Sequence, residues 1–480
     1  MKNKMTYDVE ECPPIGRWII LAIQHVFAMF GATVLVPILV NSAAGETVLT
    51  IPVTLVAAGI GTLIYILCTK AKSPVFLGSS FAYITAIAAA YAVGGISGAM
   101  TGIMAVGLVY IIVAIIIHFT GKDWLEKLLP PVVIGPMIMI IGLGLAPSAV
   151  GQIGLASETL EWKTILVAFT SFIVTALVMT RAKGFLKVIP FLIGIVSGYI
   201  MACCVGLVDF QPVLDAPWFS IPDFVIPFVD YKLSAAALIT IVPIALVTLC
   251  EHIGDHESLS NIIGRNLIKD PGLDRTIMGD GVATFVAGAI GGPANTTYGE
   301  NTAVVGMTRV ASVKVIGLAA IIAIVMGFLG KFTALINTIP GAVLGGVSLL
   351  LYGFIAINGL KVLIKNQIDF DNSKNIVIAS SMLVLGLGGA AVTIATKNLT
   401  LSISGMALAS IVGIILNLVL PKDKDKELNL EAKSIIEDKN DAEILKMIIE
   451  EKKAELSKKE SKTKDTKSKV KKGKKWKLSN

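Results

Sequence analysis

A run of ionisable residues interrupts an otherwise apolar part of this chain. It reads Glu251-His-Ile-Gly-Asp255-His256-Glu257. Glu251 and Asp255 are four residues apart, so in a helix they lie on one face, one turn from each other. Carboxyl groups so close affect each other's protonation, which suits them to accept hydrogen bonds and to exchange a proton. The spacing predicts proton coupling by Asp255 with Glu251, and His256 is a further candidate.

A metal site is another interpretation of the same run. His252 and His256 have the i, i+4 spacing of a zinc-binding helix. A third ligand and the H-E-x-x-H order are missing, so we expect no metal. The chain also has neither a G-x-S-x-G nor a Walker A motif, and we therefore expect a protein that is not an enzyme.

A third carboxylate, Glu300, follows a polar interruption of another apolar stretch. That interruption, Asn295-Thr-Thr-Tyr298-Gly299, is similar to an earlier one, Gly78-Ser-Ser-Phe81-Ala82, about half of the apolar body away. Unpaired backbone groups are tolerated at membrane depth only where they line a cavity. Matched broken segments in two halves of a chain therefore indicate the substrate site of a transporter.

The residue types at these breaks describe a flat ligand with N–H and C=O groups on its edge. Glu251 and Glu300 would accept hydrogen bonds, and the half-helix N-termini would donate them. Phe81 or Tyr298 would supply an aromatic face. A nucleobase fits this description. The alternative is that the small residues merely allow close packing of helices.

Three further polar residues in the apolar body are predicted to support the structure. His25, next to Gln24, is expected to be a hydrogen-bonded packing residue. Asp280 is expected to bond a broken stretch of backbone.

The composition places all these residues in a membrane protein. Of the 480 residues, 54% are hydrophobic and 16% charged, whereas soluble proteins are about 25% charged. Residues 421–480 alone hold 19 Lys and 13 acidic residues, so the body is poorer still in charge. A body so apolar and so poor in charge excludes the class of soluble proteins.

Twelve stretches are apolar and long enough to be candidate spans. They are 17–39, 51–69, 98–118, 129–149, 163–181, 186–206, 234–256, 276–291, 315–333, 337–357, 374–393 and 399–420. The two broken stretches, near 74–93 and 293–311, bring the number to fourteen.

Basic residues set the orientation. Lys and Arg concentrate in one set of loops, from Lys70 and Lys72 to Lys361 and Lys365, and in the tail. With fourteen spans, both termini lie on that side, so we predict a cell-membrane protein with both termini cytoplasmic. In the tail, residues 427–456 have the pattern of an amphipathic helix. The Lys-rich stretch 458–477 favours binding to membrane lipid over binding to nucleic acid.

Taken together, the motifs resemble the nucleobase–ascorbate transporter family, also called nucleobase:cation symporter-2, and within it the bacterial uracil permeases. The resemblance covers about residues 15–420. The matching stretches are Gln24-His25-Val-Phe-Ala-Met-Phe-Gly, Leu77-Gly-Ser-Ser-Phe81-Ala, Glu251-His-Ile-Gly, Lys269-Asp-Pro-Gly-Leu-Asp-Arg275 and Asn295-Thr-Thr-Tyr-Gly-Glu300-Asn301.

The resemblance implies an all-α polytopic membrane protein. Its fourteen transmembrane segments would form a seven-plus-seven inverted repeat, with short β-strands in broken segments 3 and 10. The implied domains are a cytoplasmic N-terminus (1–16), a core domain (17–120 and 232–336), a gate domain (121–231 and 337–420) and a charged cytoplasmic tail (421–480).

The resemblance also implies proton-coupled uracil import by elevator-type movement of core against gate, commonly in a homodimer. Glu251 and Glu300 would bind the base, Phe81 would pack on its ring, and backbone near Tyr298 and Gly299 would bond its edge. Gln24, His25, Asn301 and Asp280 would support the site. The coupling proton is the one cofactor-like species implied.

Two departures from the family pattern keep a xanthine or uric acid permease as the alternative. Asp255 stands where uracil-type members have His, and Ala303 stands where the family signature has Gly. The Asn-Thr-Thr-Tyr-Gly-Glu run still favours uracil.

Two other classes of function make different predictions. An anion transporter or channel of related fold would want a basic or neutral residue facing the half-helix after the second break, and Glu300 argues against that class. A membrane sensor that signals through its tail would lose its function when 421–480 is deleted.

Overall fold

A computed structural model describes residues 5–156, 160–225, 233–396 and 399–421. Its helices are α1 Ile15–Ala44, α2 Ile51–Cys68, α3 Ile84–Thr120, α4 Asp123–Leu128, α5 Pro131–Gly144, α6 Ala146–Gln152, α7 Trp162–Arg181, α8 Pro190–Cys204, α9 Gln211–Asp215, α10 Ala235–Ile241, α11 Ile244–Ile263, α12 Leu273–Ala289, α13 Gly299–Thr308, α14 Val313–Gly327, α15 Gly330–Asn337, α16 Gly341–Lys365, α17 Ser373–Leu387 and α18 Gly405–Val419. The strands are β1 Leu77–Ser79, β2 Asn295–Thr297, β3 Ala391–Thr396 and β4 Leu399–Ser404.

The helices confirm a mostly helical membrane protein. Within the described residues, seven helical stretches are long and apolar enough to cross a bilayer. They are Ile15–Ala44, Ile51–Cys68, Phe81–Thr120, Pro131–Gln152, Trp162–Arg181, Ala235–Ile263 and Gly341–Lys365. Four shorter apolar helices, α8, α14, α17 and α18, accompany them. The amphipathic pattern predicted at 427–456 lies outside the described residues.

The first broken segment continues into the next predicted span. We expected a span to begin at residue 98, but α3 already begins at Ile84 and runs to Thr120. The interruption within α3 is at Gly95, where φ is 61° and ψ is −164°. A residue without Cβ tolerates this conformation, so the chain kinks here without leaving the helical stretch.

The predicted ends of the last two spans are wrong. Residues 391–396 and 399–404 form an antiparallel hairpin, β3 with β4, whereas we expected 391–393 and 399–404 to lie in helical spans. Their sequences, AVTIAT and LTLSIS, are rich in β-branched residues and alternate in character, a pattern that favours strands. Hydropathy alone does not separate such a hairpin from a helical span.

Close helix contacts hold α12 in the middle of the fold. A Cβ placed on Gly107 of α3 would come within 2.6 Å of the Gly281 carbonyl oxygen of α12. A Cβ on Gly281 would in turn lie 3.0 Å from the Gly107 carbonyl oxygen. Small residues at such crossings allow two backbones to touch. This crossing fixes Asp280, the neighbour of Gly281, against α3.

The N-terminal segment packs along a loop of the helical body. The Ala311 N–H donates to the Tyr7 carbonyl at 2.8 Å, and the Val313 N–H donates to the Val9 carbonyl at 3.0 Å. Val9 is fully buried. The segment before α1 is therefore anchored on the loop between α13 and α14.

An ion pair adds to this anchor and gives a testable pH dependence. Asp8 Oδ2 lies 2.7 Å from Arg265 Nη2. Burial raises the pKa of Asp8, but the hydrogen bond from the Val9 N–H and the adjacent Arg265 guanidinium outweigh it, so the pKa lies below its usual range. Such a carboxyl contributes stability above its unfolded-state pKa of about 4, and the contribution is lost as pH falls through the lower folded-state pKa.

We expect Asp8→Asn to lower the free energy of unfolding at neutral pH by no more than about 1 kcal/mol, because both side chains are more than a third exposed. Thermal unfolding of the full chain in detergent at about pH 7 and at about pH 3 measures the difference. The deficit should shrink at the acidic pH, with Asp215→Asn, at an exposed site, as control. An equal deficit at both pH values would contradict the assignment.

Candidate functional site

The two broken segments meet in the structure. Strands β1 and β2 pair antiparallel, with Gly78 opposite Thr296 and Ser79 opposite Asn295. All six strand residues are buried. A 3₁₀ turn, Phe81–Tyr83, follows β1, and α13 follows β2 at Gly299. The pairing thus brings the start of two helical segments to one crossing inside the body.

Tyr298 lies under this crossing. A Cβ on Gly78 would overlap the Tyr298 ring, so only glycine leaves room for it. The Tyr298 hydroxyl donates to the Ser79 carbonyl at 3.1 Å and accepts from Thr33 Oγ1 at 3.1 Å. The side chain of Tyr298 is only 3% exposed. Of the two aromatic residues considered for a ligand-facing ring, the structure therefore places Tyr298 behind the crossing.

Three carboxyl groups face the crossing. Glu251 and Asp255 lie on α11, and Glu300 lies in the first turn of α13. Glu300 interacts electrostatically with both of the others, and all three are partly exposed. Thr297 Oγ1 donates a hydrogen bond to Asp255 Oδ2 at 2.7 Å. The second broken segment therefore supports one carboxylate from α11 and carries another itself.

Space for a ligand lies beside the α13 N-terminus. Gly299 is exposed, and a Cβ added there would meet nothing within 4 Å. Backbone N–H groups at the start of a helix lack intrahelical acceptors and can donate to a ligand. The opening at Gly299 thus places N–H donors next to the Glu300 carboxylate.

Phe81 is the aromatic residue at the open side. It begins the 3₁₀ turn after β1 and is half-buried. Its ring meets that of Tyr352 on α16 edge-on, with centroids 6.4 Å apart and planes at 73°. The contact holds the Phe81 ring between the broken segment and α16.

The adjacent, buried face of α11 carries the histidines. His252 Nδ1 lies 2.7 Å from Asp280 Oδ2 on α12, and both side chains are at most 1% exposed. We expected Asp280 to bond a broken backbone, but its partner is His252. His256 Nδ1 contacts the His252 carbonyl at 2.7 Å, and Nε2 contacts the Tyr65 hydroxyl at 2.5 Å. Both nitrogens of His256 therefore have partners on the buried side, away from Asp255.

The remaining support residues join α1 to α13. Asn301 Nδ2 donates to the His25 carbonyl at 3.1 Å and lies 3.1 Å from His25 Nδ1. Both side chains are buried. Gln24 is half-buried, and its Oε1 has no hydrogen-bond partner among the described residues. The start of the half-helix is thus held by a helix from the other end of the chain.

Sequence reasoning missed two partners of the titratable groups. Thr297 was part of the matching motif, but nothing singled it out as the donor to Asp255. The spacing of His252 indicates only a candidate metal ligand, and the described residues contain no group of three His, Cys, Asp or Glu side chains that could hold a metal. The residue spacing did indicate two separate faces. In one helix, the pair 251/255 and the pair 252/256 lie along adjacent faces, so the histidines need not face the same side as the carboxylates.

Comparison with known proteins identifies relatives along most of the chain. The uracil permease of Bacillus subtilis (strain 168) is 48% identical over 433 residues, which cover 89% of this chain and 98% of that protein. The uracil permease of Bacillus caldolyticus is 49% identical over 425 residues, 87% and 95% of the two chains. That of Escherichia coli (strain K12) is 41% identical over 422 residues, 87% and 94%.

Solved structures share the fold at low sequence identity. The transmembrane domain of the cyanobacterial bicarbonate transporter BicA has a TM-score of 0.51 and 16% identity, over 82% of this chain and 96% of that one. The murine Solute Carrier 26 family member A9 anion transporter, in the inward-facing state, has a TM-score of 0.64 and 11% identity, over 88% and 69%. These likenesses show that the fold is that of membrane transporters.

A family model gives the same result for the sequence. The Xan_ur_permease model, described as Permease family, matches residues 16–395. Those residues include all the broken-segment motifs and all three carboxylates. The resemblance seen in the motifs is confirmed, and the chain belongs to this permease family.

Proposed function

We propose that this protein imports uracil together with a proton across the cell membrane. Relatives named uracil permease, at 41–49% identity over 87–89% of the chain, support uracil as the substrate. The observation that carries the chemistry is the Glu300 carboxylate at the open start of α13, in electrostatic contact with Glu251 and Asp255.

Uracil has the complementary edge for this site. Its ring N–H groups donate to Glu300 and Glu251, and a carbonyl oxygen accepts from the backbone N–H group at Gly299. Hydrogen bonds to a charged group are worth about 1.5–3 kcal/mol each. Phe81 packs on the ring face. The ligand therefore satisfies acceptors and donors that the broken segment leaves at membrane depth.

The coupling proton binds to the same carboxyl cluster. Three negative charges in a partly buried space repel one another, and a bound proton relieves that repulsion. Asp255 is the group we assign to the proton, because Thr297 holds its carboxyl beside the binding face while Glu251 and Glu300 bond the base. Proton binding and uracil binding then favour each other.

The movement that we propose is of the elevator type. The core domain (17–120 and 232–336) would carry the site past the gate domain (121–231 and 337–420), with fourteen segments in a seven-plus-seven inverted repeat. The antiparallel pairing of β1 and β2, from matched positions in the two halves, supports an inverted relationship. A homodimer with both termini cytoplasmic completes the proposal.

Uptake of radiolabelled uracil tests the proposal. Cells expressing the full chain should take up more uracil at about pH 6 than at about pH 8, and a protonophore should abolish the difference, because an inward proton gradient drives symport. Uptake that ignores both pH and protonophore would rule out symport. Strong competition by unlabelled xanthine would favour the alternative, a xanthine or uric acid permease, for which Asp255 is the motivating residue.

A pair of variants tests which residue couples the proton. We expect Asp255→Asn to flatten the dependence of uptake on pH, because the amide keeps a hydrogen bond to Thr297 but takes no proton. The matched variant His256→Gln, at a ring with both nitrogens already bonded in the protein, should keep the wild-type pH profile. The initial rate of uptake across the pH range is the measurement. The reverse outcome would reassign the proton to His256.

A further inference from the structure

The buried face of α11 carries a carboxyl–imidazole pair that the binding face does not use. Asp280 Oδ2 and His252 Nδ1 are 2.7 Å apart, and His252 Nε2 lies 3.0 Å from Thr276 Oγ1. Asp280 and His252 are at most 1% exposed, and Thr276 is fully buried. The pair links the two helices α11 and α12 directly behind Glu251.

The hydrogen bonds around the pair indicate where its hydrogens lie. A threonine hydroxyl has a single hydrogen, and Thr276 Oγ1 donates it to the Leu273 carbonyl at 3.1 Å. With the hydroxyl hydrogen on the Leu273 carbonyl, Thr276 accepts from His252, and we assign the ring hydrogen of His252 to Nε2 from this network. The contact between Nδ1 and Asp280 therefore needs one more hydrogen, because a bare ring nitrogen and a carboxylate oxygen repel each other.

The charge of the pair leads to the same conclusion. With that extra hydrogen, Asp280 and His252 together are neutral; without it, they carry a net negative charge at a fully buried position, which is costly. The second oxygen of Asp280, Oδ1, is buried and has no partner among the described residues. A carboxylic acid tolerates an unbonded carbonyl oxygen better than a carboxylate does, so the acid form is favoured, with its O–H donating to His252 Nδ1.

We propose that Asp280 and His252 hold one shared proton that positions α11 against α12, forming a second protonation site behind the binding face. Loss of this proton breaks the link behind Glu251, so the pair adds to the pH dependence of uptake without touching the substrate. The role in transport rests on the proposed function; the presence of the proton does not.

Among the described residues, the groups that interact electrostatically with Asp280 include no permanent positive charge that would replace the proton. The titratable groups that interact electrostatically with Asp280 come from α2, from the turn before α3, from α3 itself and from α11; they are Tyr65, Tyr83, Tyr110, Glu251, Asp255 and His256. All are tyrosines, carboxyls or a neighbouring histidine. A negative charge at Asp280 would only add to the repulsion at the cluster of Glu251, Asp255 and Glu300.

Infrared spectroscopy of the purified full-length protein tests for the proton directly. Wild type minus Asp280→Asn should show a carboxylic acid C=O band, because the variant removes the acid. The matched control is Asp274→Asn, on the same helix, whose carboxyl contacts His118 Nδ1 at 2.8 Å in a far more exposed pair. The corresponding difference should show only a carboxylate band.

A second variant covers the possibility that Asp280→Asn does not fold. Asp280 is the one aspartate that is buried among the described residues. We would therefore prepare the Asp255→Asn protein with isotope-labelled aspartate. Its infrared spectrum should keep a carboxylic acid band, and the label should shift that band. Absence of that band in wild type and in Asp255→Asn would overturn the shared proton.

Uptake tests the consequence for transport. Asn at 280 donates permanently to His252 Nδ1, so Asp280→Asn should retain uptake at about pH 6 and lose less of it at about pH 8 than wild type does. If Asp280→Asn had the same dependence of uptake on pH as wild type, the role of the pair in transport would be overturned. Asp280 and His252 would then have only a structural role. If wild-type uptake itself ignores pH while the Asp280 band is present, the proposed symport fails and the shared proton stands.

Discussion

Glu300→Gln should weaken uracil binding at least about ten-fold. The change keeps the size of the side chain but replaces a carboxylate, which only accepts hydrogen bonds, with an amide that also presents N–H donors. One ring N–H of uracil loses a charged acceptor, or faces a donor. Since a hydrogen bond to a charged group is worth about 1.5–3 kcal/mol, affinity should fall by about ten-fold to more than a hundred-fold.

Binding of radiolabelled uracil to the purified protein measures this loss without the complication of transport rates. The matched control is Glu257→Gln, an exposed carboxyl on α11, the helix that also carries Glu251; it should bind as wild type does. Thermal unfolding without ligand should be similar for both variants. Wild-type affinity in Glu300→Gln would refute the role of Glu300 in binding.

The membrane class and the position of the site were predictable from the sequence, because both follow from where charge is costly. Glu251, Asp255 and Glu300 stand out in an apolar body, and the structure places them at one crossing. The half-helix after the second break was predictable for the same reason, since Gly299 and Glu300 begin it directly after a polar run.

The pairing across helices was not predictable. Whether α11 presents Asp255 or His256 to the site depends on how it is rotated against α2 and α12, and that rotation goes with tertiary contacts such as those of His256 with Tyr65 and of His252 with Asp280. The hydrogen bond from Thr297 to Asp255 and the pair of His252 with Asp280 follow from it. The β3–β4 hairpin was missed because its sequences, AVTIAT and LTLSIS, are apolar and directly adjoin apolar helices.

Gly78→Ala should destabilise the protein more than its single methyl group suggests. The new Cβ would lie on the Tyr298 ring. That ring cannot easily move aside, because its hydroxyl is bonded to the Ser79 carbonyl and to Thr33 at 3.1 Å each. Overpacking of this kind costs about 1–3 kcal/mol, and we expect the upper end because ring and strand are both held.

The loss should reach the site as well. Gly78 pairs with Thr296, only three residues before Gly299, so relief of the clash by opening β1 from β2 would displace the start of α13 and weaken uracil binding. Gly254→Ala is the matched control, since a Cβ at that position of α11 meets nothing within 4 Å. Thermal unfolding in detergent and uracil binding are the two measurements.

Combining Gly78→Ala with Tyr298→Leu, which shortens the opposing side chain, should lower the free energy of unfolding by less than the sum of the two single changes. Strict additivity, or a Gly78→Ala protein as stable as Gly254→Ala, would show that the Tyr298 ring does not fix the strand crossing.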